Sequence, residues 1–267
     1  MKLSYVIHSI LAAAALTLPG IAADAESVEQ LVAQGDQYDQ KFQAGEALKY
    51  YLPAEKLEPD NSVVLLRIAR QYRHLMSDAG PIAEKLRLGG VALGYAKRAV
   101  AVAPNMADTH ASVAISYGKM LPFQGKKEQV EATPLIRAAC ERALALDPKN
   151  DNAWHVLGKW HRVLADVGGA KRALGSLIYG DLPKGTNEDA VHCLQRAIAS
   201  NPKRPMHYIE LGRTYAQMNN RAEARRLLEK GLAMPNTDKD DAEVKARGRE
   251  TLSKLSGGRR AAVSIPR

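Results

Sequence analysis

Cysteine is scarce in this sequence. Cys140 and Cys193 are the only two in 267 residues, and they do not form a Cys-x-x-Cys pair, so no cysteine-based zinc site is predicted. Both fall in the second helices of neighbouring repeats described below, so we expect each to be a small buried apolar residue. Export from the cytoplasm would permit a disulfide between them, which is the alternative.

Aromatic residues and catalytic motifs are also few. Aromatics make up 5% of the chain and are not interleaved with basic residues, which argues against nucleic acid as a partner because single strands stack on aromatic rings. There is no glycine-rich phosphate loop, no Gly-x-Ser-x-Gly and no His-Glu-x-x-His. His155 and His161 lie six positions apart, on different faces of a predicted helix. We therefore expect no enzymatic activity, no cofactor and no metal site.

The apolar run at the N-terminus is too short to span a membrane. It covers residues 5–18, whereas a spanning helix needs ~20 residues. Lys2 precedes the run, Pro19-Gly20 follows it, and Ala23-Asp24-Ala25 offers a small-x-small cleavage site. This layout is typical of a secretory signal peptide, here residues 1–25. We expect an exported, periplasmic protein; an uncleaved segment associated with the membrane is the alternative.

Acidic residues are outnumbered by basic ones, 29 against 38, which gives a formal net charge of +9. An excess of this size favours anionic partners such as acidic peptides, phospholipid headgroups or nucleic acid. The alternative is a basic solvated surface that binds none of them.

A repeat is present. Counted from Val28, small, aromatic and proline residues occupy positions 8, 11, 20, 24, 27 and 32 of a unit that ends at Asn61: Gly35, Tyr38, Ala47, Tyr51, Ala54 and Pro59. This pattern matches the tetratricopeptide unit, a helix–turn–helix of about 34 residues. Four prolines each follow an alanine by five residues: Pro59, Pro104, Pro148 and Pro202 after Ala54, Ala99, Ala143 and Ala197.

The pattern predicts an all-α, tetratricopeptide-like solenoid of helical hairpins, a right-handed superhelix of about five repeats. The units are residues 28–61, 62–106, 107–150, 151–204 and 205–238, followed by a capping helix over 239–255 and a disordered tail over 256–267. Units two to four are lengthened between their helices, around residues 77–90, 121–131 and 167–186. Close helix packing is assigned to Gly35, Ala47, Ala54, Ala69, Ala99, Ala143, Gly158, Ala197 and Gly212.

Several stretches resemble the regulator of microtubule dynamics family: Leu65-Leu66-Arg67-Ile68-Ala69-Arg70, residues 94–99 and 143–149, and the segment from Trp154, Gly158 and Trp160 to Leu182-Pro183 and Glu188-Asp189-Ala190. The resemblance runs over about residues 28–255. It implies an all-helical, non-enzymatic adaptor. Eukaryotic members are linked to microtubules, and one relative tethers organelle membranes and handles phospholipid. The export signal would keep this chain from cytosolic microtubules, so only the fold and the adaptor role carry over.

The first helices of such arrays line the concave surface, where a partner binds. Their exposed positions are predicted to form a basic groove of eight residues, with an acidic N-terminal end at Glu29, Asp36 and Asp39. The groove residues are Arg70, Arg73, His74, Lys119, His155, Lys159, Arg162 and Arg213. Arginine and lysine at these positions would hold an acidic extended segment or a C-terminal carboxylate through charge-assisted hydrogen bonds. The alternative is that these charges only solvate the surface.

Phospholipid binding is the second functional hypothesis. Apolar side chains of the insertions could shield an acyl chain while the basic groove takes the phosphate: Ile82, Leu86, Leu174, Leu177 and Ile178. The alternative is that they pack the lengthened helices onto the array.

Overall fold

The computed structural model describes residues 26–169, 178 and 183–257. These residues form eleven α-helices and one short 3₁₀ helix, without a β-strand, which confirms the predicted all-α class. The predicted signal peptide, Leu174, Leu177 and the tail beyond residue 257 lie outside the described residues. In the described ranges, none of the helices combines the length and apolar character that crossing a membrane requires.

The helices form five hairpins and one terminal helix. They are α1 (Val28–Asp39) with α2 (Ala44–Leu57), α3 (Ser62–Asp78) with α4 (Ile82–Val102), α5 (Ala107–Met120) with α6 (Lys126–Leu146), α7 (Asp151–Ala165) with α8 (Asn187–Ser200), α9 (Pro205–Gln217) with α10 (Arg221–Ala233), and α11 (Asp241–Gly257). Each first helix contacts its own second helix, and each first helix after α1 also contacts the second helix of the unit before it. The first helices α3, α5, α7 and α9 also touch in sequence, and they form the inner wall of the solenoid.

Proline and asparagine set the turns between units. Pro59 and Pro148 have no backbone N–H to extend the preceding helix. Two residues later, the Oδ1 atom of Asn61 accepts hydrogen bonds from the N–H groups of Val63 and Val64, at 3.1 and 3.2 Å. The Oδ1 atom of Asn150 accepts one from Ala153 at 2.9 Å. One helix therefore ends and the next begins within a few residues.

Glycines in three first helices make room for a large residue of the facing second helix. A Cβ atom added to Gly35 would lie 2.3 Å from Cε1 of Tyr51, and one added to Gly158 would lie 2.6 Å from Cγ of Leu194. A Cβ atom added to Gly212 would lie 2.8 Å from Cγ of Leu228. All nine residues assigned to close packing are buried.

The insertions are largely helical where they are described. In the second unit, α3 and α4 are extended and only residues 79–81 separate them. In the third unit, the 3₁₀ helix Leu121–Phe123 precedes an extended α6. Cys140 and Cys193 are free and buried in one apolar cluster with Trp160, so the disulfide alternative is not realised.

The C-terminal end returns to the inner wall. The predicted cap, α11, covers the last hairpin through a cluster of Ile209, Leu228 and Val244. Residues 235–240, which we call the acidic loop, connect α10 to α11 and contact α3 and α5. The part of the inner wall formed by α3 and α5 is therefore covered by the chain's own C-terminal region.

Candidate functional site

The eight predicted groove residues line one cavity on the inner wall. This central cavity has a volume of about 1430 Å³, and all eight side chains border it. They reach it from the four first helices α3, α5, α7 and α9. Its lining contains eleven lysine and arginine residues against seven aspartate and glutamate residues, so it is cationic. The role of the eight residues in binding a partner stays a prediction.

Three of these residues were predicted to be exposed and are in fact buried. Arg73, His74 and His155 are 8%, 2% and 8% exposed. The Nη1 atom of Arg73 donates hydrogen bonds to Oγ of Ser112 at 2.9 Å and to Oγ of Ser116 at 3.2 Å. Burial lowers the pKa of Arg73 to about 10. The repeat pattern describes one unit at a time, whereas Arg73 and His155 contact the first helix of the next unit and His74 contacts the acidic loop.

Glu210 neutralises part of the cationic wall. Its side chain is almost fully buried, and it accepts hydrogen bonds from Nε of Arg162 at 2.6 Å and from Nη1 of Arg213 at 2.9 Å. Burial acts to raise the pKa of Glu210, but Arg162, Arg213 and Lys159 outweigh it and hold the pKa well below its usual value. Glu210 was not among the predicted groove residues, although its i, i+3 spacing from Arg213 was an available signal.

Lys159 is a cation of the cavity that has no bonded counter-charge in the described ranges. It borders the cavity and has neither an ion pair nor a hydrogen bond with any residue in the described ranges. Burial lowers its pKa, and the attraction of Glu210 only partly opposes this. A desolvated ammonium without a bonded carboxylate favours an anionic ligand, because such a ligand supplies the missing hydrogen bonds.

A chain of polar side chains holds His155 against the wall. Nε2 of His207 lies 3.0 Å from Oδ2 of Asp151, and Nδ1 of His207 lies 3.1 Å from Nδ1 of His155. Burial lowers the pKa of both histidines. Because an ionised Asp151 can only accept, His207 donates to it from Nε2 and in turn accepts the Nδ1–H of His155. His155 is therefore oriented by the fold and is not a freely exposed groove residue.

The acidic loop pairs with the N-terminal half of the groove. Asp238 accepts a hydrogen bond from Nη2 of Arg70 at 3.3 Å and lies 3.5 Å from Nε2 of His74. Asp240 accepts from Nζ of Lys119, and from Oγ of Ser77 at 2.8 Å. Burial acts to raise the pKa of Asp238, but His74 and Arg70 outweigh it and lower the pKa. The run Asp238-Lys239-Asp240-Asp241 was visible in the sequence, but its partners on α3 and α5 lie more than 100 residues away. Arg204, just before α9, also lies 3.9 Å from Asp238.

The predicted acidic end of the groove is also paired within the chain. Asp36 accepts two hydrogen bonds from Arg67, at 2.7 and 2.8 Å, and one from the hydroxyl of Tyr51 at 2.6 Å. Asp39 lies 3.3 Å from Arg70. These carboxylates join α1 to α3, while Glu29 remains exposed on α1.

The described residues proposed to shield an acyl chain do not gather at the central cavity. Ile82 and Ile178 are 59% and 61% exposed, and Leu86 packs beside the cluster of Met76, Leu88 and Met120. Leu86 therefore packs a lengthened helix onto the array, as the alternative hypothesis predicted for it. In the part of the chain that is described, histidine, cysteine and acidic residues form no cluster of three that could hold a metal ion.

Solved tetratricopeptide proteins share this fold. A thermophilic TPR protein of Thermus thermophilus is similar with a TM-score of 0.63 and 17% identity, covering 85% of this chain and all of that one. The type IV pilus biogenesis factor PilW is similar with a TM-score of 0.52 and 16% identity, covering 88% of this chain and 92% of that one. The predicted solenoid of helical hairpins is thereby confirmed.

Sequence comparison identifies the family. The chain is 26% identical to regulator of microtubule dynamics protein 1 of Mus musculus over 85% of this chain and 75% of the relative. It is 26% identical to the protein of the same name from Bos taurus, over 83% and 71%. Residues 26–256 match the family described as regulator of microtubule dynamics protein 1-3. The chain therefore belongs to the regulator of microtubule dynamics family.

Proposed function

We propose that this protein is a non-enzymatic interaction scaffold whose central cavity binds an acidic segment or C-terminal carboxylate of a partner protein. Membership of the family and the tetratricopeptide fold support the scaffold role. Lys159 carries the finer proposal, since it is a partly desolvated ammonium that faces the cavity without a bonded carboxylate in the described ranges. The names of the relatives refer to microtubules, and for this chain we propose only the scaffold role.

The surrounding residues support an anionic ligand. Arg162 and Arg213 share the single carboxylate of Glu210, so two positive charges meet one negative charge beside Lys159. A carboxylate that enters this region would gain charge-assisted hydrogen bonds in a partly desolvated site, where they are stronger than in water. The cavity is also large enough to admit a peptide side chain or terminus.

The test compares two lysine substitutions of equal charge. Lys159→Gln removes the ammonium in the cavity, whereas Lys56→Gln removes an exposed one in the last turn of α2. The probe is a fluorescein-labelled peptide of alternating aspartate and serine with a free C-terminal carboxylate. We expect Lys159→Gln to weaken binding about tenfold or more, the value of a charge-assisted hydrogen bond. We expect Lys56→Gln to leave it within about twofold, because an exposed charge acts weakly through solvent.

Equal binding by both variants would contradict the proposal. Binding of the same peptide with every aspartate replaced by asparagine and its C-terminus amidated would also contradict it, because that peptide carries no carboxylate. A discrete co-purifying phospholipid in native mass spectrometry, together with failure to bind the acidic peptide, would favour the phospholipid alternative. Once the peptide result is positive, affinity capture with Lys159→Gln as the negative control would identify the natural partner.

A further inference from the structure

We infer that the acidic loop is an internal copy of the partner's binding motif, and that a partner must displace it to occupy the N-terminal half of the groove. This inference rests on the proposed function. It adds the motif that the partner carries, which is an acidic, a basic and an acidic residue in succession. It also adds a competition between the acidic loop and the partner for the same site.

The contacts of the loop define the motif. Asp238 pairs with Arg70 and His74, while Asp240 pairs with Lys119 and Ser77. Between them, Nζ of Lys239 lies 2.6 Å from Oδ2 of Asp78, at the end of α3. The wall therefore offers a cationic, an anionic and a second cationic position in order, and Asp238-Lys239-Asp240 complements each of them.

Three of the groove residues that were predicted to bind an acidic segment of a partner therefore bind an acidic segment of this chain. Arg70, His74 and Lys119 contact the loop, whereas Lys159, Arg162 and Arg213 have no contact with it among the described interactions. The site consequently has two halves. One is covered by the chain itself, and the other is open to the cavity.

The loop is attached mainly by polar contacts, which makes its displacement feasible. Its buried apolar anchor is α11, which packs on α9 and α10 through Val244, and this apolar cluster contains no residue of the loop. Asp238 and Asp240 keep 18% and 29% of their side-chain surface exposed. These ion pairs are partly buried, but a carboxylate of a partner can replace each of them at the same cations, whereas it cannot replace a packed apolar core.

The physical consequence is reduced affinity in the intact protein. A segment tethered by a short connection has an effective concentration on the order of millimolar, so a free motif must compete against that concentration. Removing the charges of the internal copy, without altering the wall, should therefore expose the site and strengthen binding of an external copy.

The first test uses the double variant Asp238→Asn, Asp240→Asn. Asparagine keeps the shape of each side chain and the Oδ1 acceptor at position 238, which receives the N–H of residue 240. The probe is a fluorescein-labelled synthetic peptide, Met-Pro-Asn-Thr-Asp-Lys-Asp-Asp, which copies residues 234–241. We expect the double variant to bind it about tenfold tighter than the unaltered protein does. The matched control is Asp60→Asn, Asp147→Asn, which removes two acidic charges from the turns that follow α2 and α6 and should leave the affinity unchanged.

The second test needs no substitution, so it stands even if the double variant fails to fold. Hydrogen exchange of the unaltered protein is measured with and without saturating probe. The amide group of Asp240 donates to Oδ1 of Asp238 at 3.2 Å, within the segment that both carboxylates hold against the wall, and it should exchange faster when the loop leaves the wall. Unchanged exchange with bound probe would overturn the inference.

The outcomes separate this inference from the proposed function. If the aspartate–serine peptide binds in a Lys159-dependent way but the loop peptide shows no preference for the double variant, the loop is only structural and the proposed function stands. If neither peptide binds, both fail. If vesicles of phosphatidylcholine and phosphatidylglycerol accelerate loop exchange and neither peptide does, a membrane surface is the ligand and the peptide motif is rejected.

Discussion

Arg162 and Glu210 form a buried ion pair that joins the fourth unit to the fifth, with Nε of the arginine 2.6 Å from Oε1 of the glutamate. Their side chains are 12% and 4% exposed. Because Arg213 also donates to Glu210, one carboxylate holds two arginines at the inner wall. The same pair therefore contributes to the packing of the solenoid and sets the charge of the central cavity.

Removing this carboxylate charge should destabilise the protein. Glu210→Gln leaves Arg162, Arg213 and Lys159 without their shared counter-charge, and we expect the free energy of unfolding to fall by about 3 kcal/mol. Chemical denaturation measures it. The control is Glu223→Gln in the exposed pair with Arg226, which should change the free energy of unfolding far less, because solvent screens an exposed pair. Equal losses in the two variants would contradict a special role for Glu210.

Acid should remove a defined part of the stability through Asp151. Burial acts to raise its pKa, but the hydrogen bond from His207 and the charge of Arg204 outweigh it and lower the pKa to about 2 from 3.8. Between about pH 2 and pH 4, the carboxyl group of Asp151 is therefore ionised in the folded protein, whereas it is protonated in the unfolded chain. Its contribution is complete above about pH 4 and is lost as the pH falls towards 2. It amounts to about 2 kcal/mol.

The measurement is the free energy of unfolding against pH for the unaltered protein and Asp151→Asn. The variant should be less stable at neutral pH, and the two curves should converge near pH 2. Asp60→Asn, in an exposed turn, is the control for the loss of one carboxylate. Curves for Asp151→Asn that stay parallel throughout would show that Asp151 is not linked to folding.

Helix crossing at Gly158 should not tolerate a side chain. Gly158→Ala places a Cβ atom 2.6 Å from Cγ of Leu194 and 3.3 Å from the backbone oxygen of Ala190. We expect a loss of about 1–3 kcal/mol in thermal or chemical unfolding. Gly94→Ala is the matched control, because nothing lies within 4 Å of its added Cβ. In the middle of α4 it should gain about 0.5–1 kcal/mol. Similar effects at both positions would contradict the assigned register.

The two cysteines should react with thiol reagents only after unfolding. Burial raises the pKa of the Cys193 thiol to about 12 and raises that of Cys140 further, so almost no thiolate is present at neutral pH. A colorimetric disulfide reagent should titrate neither thiol in native protein and both in guanidinium chloride without reductant. Absence of reaction in denaturant would indicate a bridge between them.

Export should leave a mature chain that begins at Glu26. We propose that the signal is cleaved after Ala25, as the small-x-small site indicates. Expression in a Gram-negative host, fractionation and intact-mass measurement test this. Replacing Ala25 with a bulky residue should retain the full-length mass in the membrane fraction. A full-length mass for the unaltered protein in the soluble periplasm would reject cleavage.

The sequence by itself determined the frame of this protein, because the interactions that specify it are local. A proline ends each of the first four second helices, and the glycine of a first helix faces a large residue of its own hairpin, as at Gly35 and Tyr51. The spacing of these prolines and glycines from one unit to the next is visible in the sequence. The eight groove residues were found in the same way, since they occupy repeated positions of successive first helices.

Only the tertiary structure decided which of those residues are available to a partner. The burial of Arg73 depends on α5 of the next unit, and the counter-charge of Arg162 comes from Glu210, 48 positions away. Asp238 meets Arg70 across 168 positions because the curvature of the stacked hairpins brings the last connection back to the inner wall. The repeat spacing does not predict this contact between the ends of the array. The contact depends on the sum of the small rotations between successive units.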